Sequence, residues 1–144
     1  MTRKELACEY FSQGFNCSQS VFAVFAEKYG LNKETALKIG CGFGGGMRNA
    51  EICGAVTGAV MVIGLRYGHA VGNDDNSKTL CYQKTVEFTT AFKRMNKSII
   101  CRDLLGHDIS DPNEMNKAAE KGLFRTTCVE MICNAVELLE ELGY

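Results

Sequence analysis

Ile52-Cys53-Gly54-Ala55-Val56-Thr57-Gly58-Ala59-Val60-Met61-Val62-Ile63-Gly64-Leu65 is the longest apolar run in the chain, 14 residues without a charge. A bilayer-spanning helix needs about 20 such residues, and glycines at 54, 58 and 64 interrupt this one. A segment that is apolar almost all round reads as a buried helix with other elements on every side. Gly54 and Gly58 stand about one turn apart, which lets a neighbouring backbone approach closely. The stretch therefore predicts a central core helix over about 53–67, and the rest of the chain has to supply what surrounds it.

On both sides the periodicity is helical. Residues near 3–13 put Ala7, Tyr10 and Phe11 inward and stop at Gly14. Residues near 17–29 carry Val21, Phe22, Phe25 and Tyr29 on one stripe, with Gly30 as the stop. A short helix over 33–41 runs into the glycine-rich segment Gly42 to Gly46. After the turn Gly72-Asn73-Asp74, a long helix over about 75–96 has Cys81, Thr85, Phe88, Phe92 and Met95 as its inward stripe. Asp111-Pro112-Asn113-Glu114 carries an N-cap, an N1 proline and an N3 carboxylate. That helix stops at Gly122, and a last one over about 128–142 shows Val129, Ile132, Cys133, Val136 and Leu139 on one face. A single proline and a shortage of alternating β-branched runs argue against sheet. The expectation is an all-α, single-domain bundle of about six to seven helices over residues 1–144, without repeats, linker or low-complexity segments.

A chain of 144 residues buries a substantial core unaided, and 46% hydrophobic with 23% charged residues is ordinary for a globular protein. The net charge of −1 and the dispersed basic residues argue against a nucleic-acid surface. The N-terminal residues carry no apolar stretch of the secretory type, so a soluble, cytoplasmic protein without membrane attachment is expected. Structural disulfides are disfavoured in that compartment. Eight cysteines there point to metal ligation, redox work or burial as small hydrophobes.

Four of the eight stand where helices begin. Asn16-Cys17-Ser18-Gln19 and Thr127-Cys128-Val129-Glu130 read as N-cap, first helical residue and back-reaching Gln or Glu. Cys53 opens the apolar run, and Cys101 opens Cys101-Arg102-Asp103-Leu104-Leu105, closed by Gly106. A thiol at such a position meets unpaired N–H groups and the positive end of the helix dipole, which favour its thiolate. Four thiolates are also the number that closes a cysteinyl iron–sulfur or zinc site. The chain has no C-x-x-C, so no zinc knuckle, thioredoxin-type dithiol or haem attachment is encoded locally, and the fold must assemble any site from distant segments. Cys81 and Cys133 sit on apolar stripes and read as core residues, with Cys8 and Cys41 in the same structural group.

Gly42-Phe43-Gly44-Gly45-Gly46 has two readings: N–H groups offered to thiolate, cluster sulfur or an anion, or a loop with positive φ squeezed between helices. It matches no nucleotide-binding pattern. Arg48 and Arg102, close in sequence to Cys53 and Cys101, either lower a thiol pKa or are solvated. His69 and His107 read as loop histidines. No Ser/His/Asp grouping or carboxylate pair supports hydrolysis.

Gly14-Phe15-Asn16-Cys17-Ser18-Gln19-Ser20, Phe43-Gly44-Gly45-Gly46-Met47, Cys53-Gly54-Ala55-Val56-Thr57-Gly58, Cys101-Arg102-Asp103-Leu104-Leu105 and Cys128 occur in that order. Over essentially its whole length the chain resembles the C-GCAxxG-C-C family of redox-active proteins, with Cys53 preceding Gly54 where the family label has glycine first. The resemblance implies a redox role for Cys17, Cys53, Cys101 and Cys128. A related domain in a split-Soret dihaem cytochrome, associated with iron–sulfur binding, implies a cluster and not haem, since the attachment motif is missing here. Three functions stand open. One is electron transfer or redox sensing through an iron–sulfur cluster on those four cysteines, with Gly44, Gly45, Gly46 and Gly54 around it. Another is a thiol–disulfide oxidoreductase using two of them as catalytic thiols. The third is a zinc-stapled or metal-free helical domain that binds a partner. A redox partner protein and a homo-oligomer are compatible with all three.

Overall fold

The computed structural model describes residues 1–144 and is all-α, with eight helices and no strand. They are α1 (Arg3–Ser12), α2 (Cys17–Ala26), α3 (Lys33–Gly40), α4 (Gly54–Tyr67), α5 (Asp75–Asn96), α6 (Cys101–Leu105), α7 (Pro112–Glu120) and α8 (Thr127–Glu141). The count exceeds the expected six to seven because the short Cys101 segment closes a turn of helix of its own. Side chains start most of these helices. Thr2 with Glu5 and Asn16 with Gln19 form reciprocal capping boxes, and Asn32 and Asp74 accept from the third residue beyond them. Asp111 caps α7 through the Asn113 N–H, ahead of an N1 proline. Glu114 does not reach back as its N3 position suggests, because its carboxylate is held by His107 and Lys117.

Helix α4 is the centre. Ala55, Val56, Ala59, Val62 and Ile63 are buried, and no residue from Cys53 to Leu65 is fully exposed. It packs on Val21, Phe22 and Phe25 of α2, Phe88 and Phe92 of α5, and Ile132, Val136 and Leu139 of α8 in one core cluster. Gly58 is where α2 comes closest: a Cβ there would stand 2.7 Å from the Ser18 carbonyl oxygen and 3.3 Å from Val21 Cβ. No helix is long and apolar enough to cross a membrane.

Four details differ from the sequence reading. Ile52 lies outside the buried helix, 39% exposed, in a β-bridge to Ile100. On α5 only Phe88 and Phe92 are buried, while Cys81 and Thr85 are half-buried and Met95 is exposed, since the stripe runs off the core towards both helix ends. Tyr29 belongs to a 3₁₀ turn after α2 and is half-buried. Cys41 is exposed and Cys133 half-buried, so neither is a core residue.

Candidate redox site

A second, smaller core of Ala50, Cys101, Leu105, Ile109 and Ala118, with Cys128 packed against it, sits beside the main one. Cys17 and Cys53 belong to the main core. At the junction lies a cavity of about 190 Å³, and Cys17, Cys53, Cys101 and Cys128 all line it. Its remaining wall is mostly apolar, with Phe11, Leu104, Ile109, Met115, Phe124 and Met131, and Arg48 is the one cation. The volume is below the ~300–1,000 Å³ of organic ligand pockets, so a nucleotide or flavin does not fit and a group of a few atoms does.

Each thiol reaches the cavity by a different device. Cys17 is the first residue of α2, fixed by the Asn16–Gln19 box. Cys53 and Cys101 arrive together: the Cys53 N–H donates to the Ile99 carbonyl at 2.8 Å and the Cys101 N–H to the Glu51 carbonyl at 2.6 Å. These bonds flank an antiparallel bridge between Ile52 and Ile100. Side chains alternate across such a pairing, so the two cysteines, each one residue past the bridge, project from the face opposite the isoleucines. Cys128 is the second residue of α8, because the helix begins at Thr127 without a side-chain cap. The expected Thr127 cap is absent, and the Cys128 N–H is already engaged by the Leu123 carbonyl at 3.1 Å.

The glycine segment supplies donors and room. The Gly45, Ser18 and Cys17 N–H groups lie near enough to the Cys17 sulfur to favour its thiolate. Together with the adjacent Cys53 thiol, the largest influence, they hold Cys17 down to about 6 against the burial that opposes ionisation. Cys53 is correspondingly pushed well up, first by the neighbouring Cys17 and then by burial; the two act as a pair that gives up one proton easily and holds the other. Burial raises Cys101 to about 11 and Cys128 to about 12, with the charge on Cys17 adding to both. A Cβ on Gly54 would fall on Cys17 Sγ, and one on Gly44 on the Asn16 side chain. Gly45 and Gly54 line the cavity, whereas Gly44 and Gly46 only shape the backbone around it.

From Gly45 to Arg48 four successive residues have positive φ, 63°, 64°, 58° and 61°, a left-handed turn that the glycine content foretells only at its first two positions. Each non-glycine residue so placed costs about 1–2 kcal/mol. Arg102 holds the end of the turn, donating to the Ala50 carbonyl at 3.1 Å and pairing with Glu51 at 3.1 Å. Arg48 instead turns into the cavity, where its charge favours the Cys101 thiolate. His107 is a structural link between Glu114 and Lys121, and His69 is exposed.

Sequence reading misses one pair. Cys8 and Cys133, assigned to the structural group, lie with sulfurs 3.4 Å apart across the α1–α8 contact, away from the cavity. Only the fold brings residues 125 positions apart together. No three His, Cys, Asp or Glu side chains converge on one point closely enough to hold a single metal ion.

A family model described as "Putative redox-active protein (C_GCAxxG_C_C)" matches residues 15–142. No curated protein matches the chain, and no solved structure does.

Proposed function

This chain belongs to the C_GCAxxG_C_C family of redox-active proteins, and from that premise we propose that it carries an iron–sulfur cluster on Cys17, Cys53, Cys101 and Cys128 for electron transfer or redox sensing. The observation that carries the reading is the placement of these four thiols, from four separate segments, around one small and largely apolar cavity. A zinc ion needs its sulfurs about 2.3 Å from one centre, hence about 3.8 Å from each other, and the side chains do not converge in that way. Thiols set around a cavity suit a polynuclear group better than a point ion. When bound, the cluster supplies reversible one-electron chemistry at a potential set by its surroundings.

The protein's own part is to tune and shield. The N–H groups of Gly45 and Ser18 near the Cys17 sulfur favour a ligand thiolate there, and Arg48 offsets the negative charge of the assembly. Cys101 and Cys128 hold their protons in the apoprotein, so loading releases them and is favoured by rising pH.

The test is anaerobic reconstitution with iron and sulfide, followed by absorption spectroscopy and metal analysis. Serine in place of any one of the four should bleach or destabilise the chromophore, because serine oxygen is a harder ligand. Cys81→Ser should leave it intact. If the wild type stays colourless, the cluster is wrong. One observation favours a second reading in that event: Cys17 and Cys53 line the same cavity, with Cys17 held down to about 6 and Cys53 pushed up, which suits an attacking and a resolving thiol.

A further inference from the structure

The Cys8–Cys133 contact lies outside the four-cysteine site, and Cys8 precedes the matched family segment. Both residues are half-buried, so a small reagent reaches them. They sit on a seam that other side chains already hold: Lys4 of α1 pairs with Glu137 of α8, and Arg3 stands 3.9 Å from Glu140. We propose that Cys8 and Cys133 are a second redox centre, a dithiol that small-molecule disulfides convert reversibly into an α1–α8 disulfide.

The geometry supports the chemistry. The two sulfurs are within hydrogen-bonding distance, where either thiol can donate to the other. The Lys4 ammonium acts on both sulfurs and favours negative charge there. Whichever thiol first loses its proton to solvent base displaces one thiolate from an external disulfide RSSR, forming a mixed disulfide with R. The other thiol then passes its proton to solvent base and attacks the protein sulfur of that mixed disulfide, and the second RS⁻ leaves. Two protein thiols are oxidised to one disulfide and RSSR is reduced to two RSH, so electrons and protons balance. The sulfurs must close from 3.4 Å to a bond of about 2.05 Å, a small movement of two side chains on packed helices. The product ties residues 125 positions apart, restricting chiefly the unfolded chain.

The experiment uses the reduced wild-type protein, incubated anaerobically with oxidised glutathione, quenched, alkylated and cleaved after glutamate. Cleavage puts Cys8 in residues 6–9 and Cys133 in 131–137, separate from Cys17 in 10–27 and Cys128 in 121–130. The expected result is a 6–9/131–137 cross-linked peptide in most molecules. It should come with a melting temperature raised by roughly 10 °C and restored by dithiothreitol. Cys8→Ser and Cys133→Ser should each abolish the rise. The proposal is overturned if both thiols are recovered alkylated, as separate glutathione adducts, or linked to cavity cysteines. A cross-link without a rise in melting temperature equally overturns the bracing of α1 on α8.

Discussion

Replacing glycine by alanine at two positions of α4 tests the central packing contact against an internal control. At Gly58 the new methyl would stand 2.7 Å from the Ser18 carbonyl oxygen, 3.3 Å from Ser18 Cα and 3.3 Å from Val21 Cβ. Ordinary carbon–oxygen contact is about 3.3–3.6 Å, so α2 and α4 must part by several tenths of an ångström. At Gly64 nothing lies within 4 Å of the added atom. Both changes gain the same helix propensity, about 1 kcal/mol, and only Gly58→Ala adds overpacking, about 1–3 kcal/mol. Gly64→Ala should therefore stabilise by about 1 kcal/mol. Gly58→Ala should range from neutral to a loss of about 2 kcal/mol, so the two variants differ by about 1–3 kcal/mol. Urea denaturation of the reduced, metal-free protein reads both midpoints at unchanged slope. If Gly58→Ala stabilises as much as Gly64→Ala, α2 does not press on α4 at this point and the core arrangement around the site is wrong.

Three further outcomes follow from the site. Between pH 6 and 9 the native Cys17–Cys53 pair binds one proton fewer than the unfolded chain, so stability should rise with pH by up to about 1.4 kcal/mol per unit. Above pH 9 the unfolded thiols ionise while Cys53, Cys101 and Cys128 keep their protons, and the contribution reverses. A pH series of denaturation midpoints for wild type and Cys17→Ser checks this, since the variant should lose the acid limb. Gly54→Ala, which drives a methyl onto the Cys17 sulfur, should weaken its N–H contacts and raise its alkylation midpoint above 6; an unmoved midpoint contradicts the donor geometry. Met47→Gly relieves a positive φ at an exposed residue and should stabilise by about 0.5–1 kcal/mol in thermal melts, a gain that vanishes if the turn is not left-handed.

The helical architecture is legible because its signals are local. Asn16 with Gln19, Asp111 with Pro112, and the stops at Gly30 and Gly106 each depend on residues within one turn. Helix-start position likewise separates the four cavity thiols from the other four. What sequence cannot express is non-local. The Ile52–Ile100 bridge that brings Cys53 beside Cys101 has no pattern of its own, being one residue pair between helices. The Cys8–Cys133 contact depends on how α1 and α8 cross, which a helical stripe read one element at a time leaves open. The left-handed Met47 and Arg48 defy residue preference, since the packing around Ala50 and Arg102 decides their conformation. The uncapped start of α8 misplaces Cys128 by one residue for the ordinary reason that helix ends follow tertiary contacts.

The bridge also sets an order of events during synthesis. Cys17 and Cys53 stand on α2 and just ahead of α4, both made before α5. Cys101 can take its place only after the whole of α5 has been made and the chain has returned to Glu51, and Cys128 comes later still. Until then the cavity lacks two of the four thiols that line it. Any group that needs all four thiols can therefore enter only once the last helix has been made.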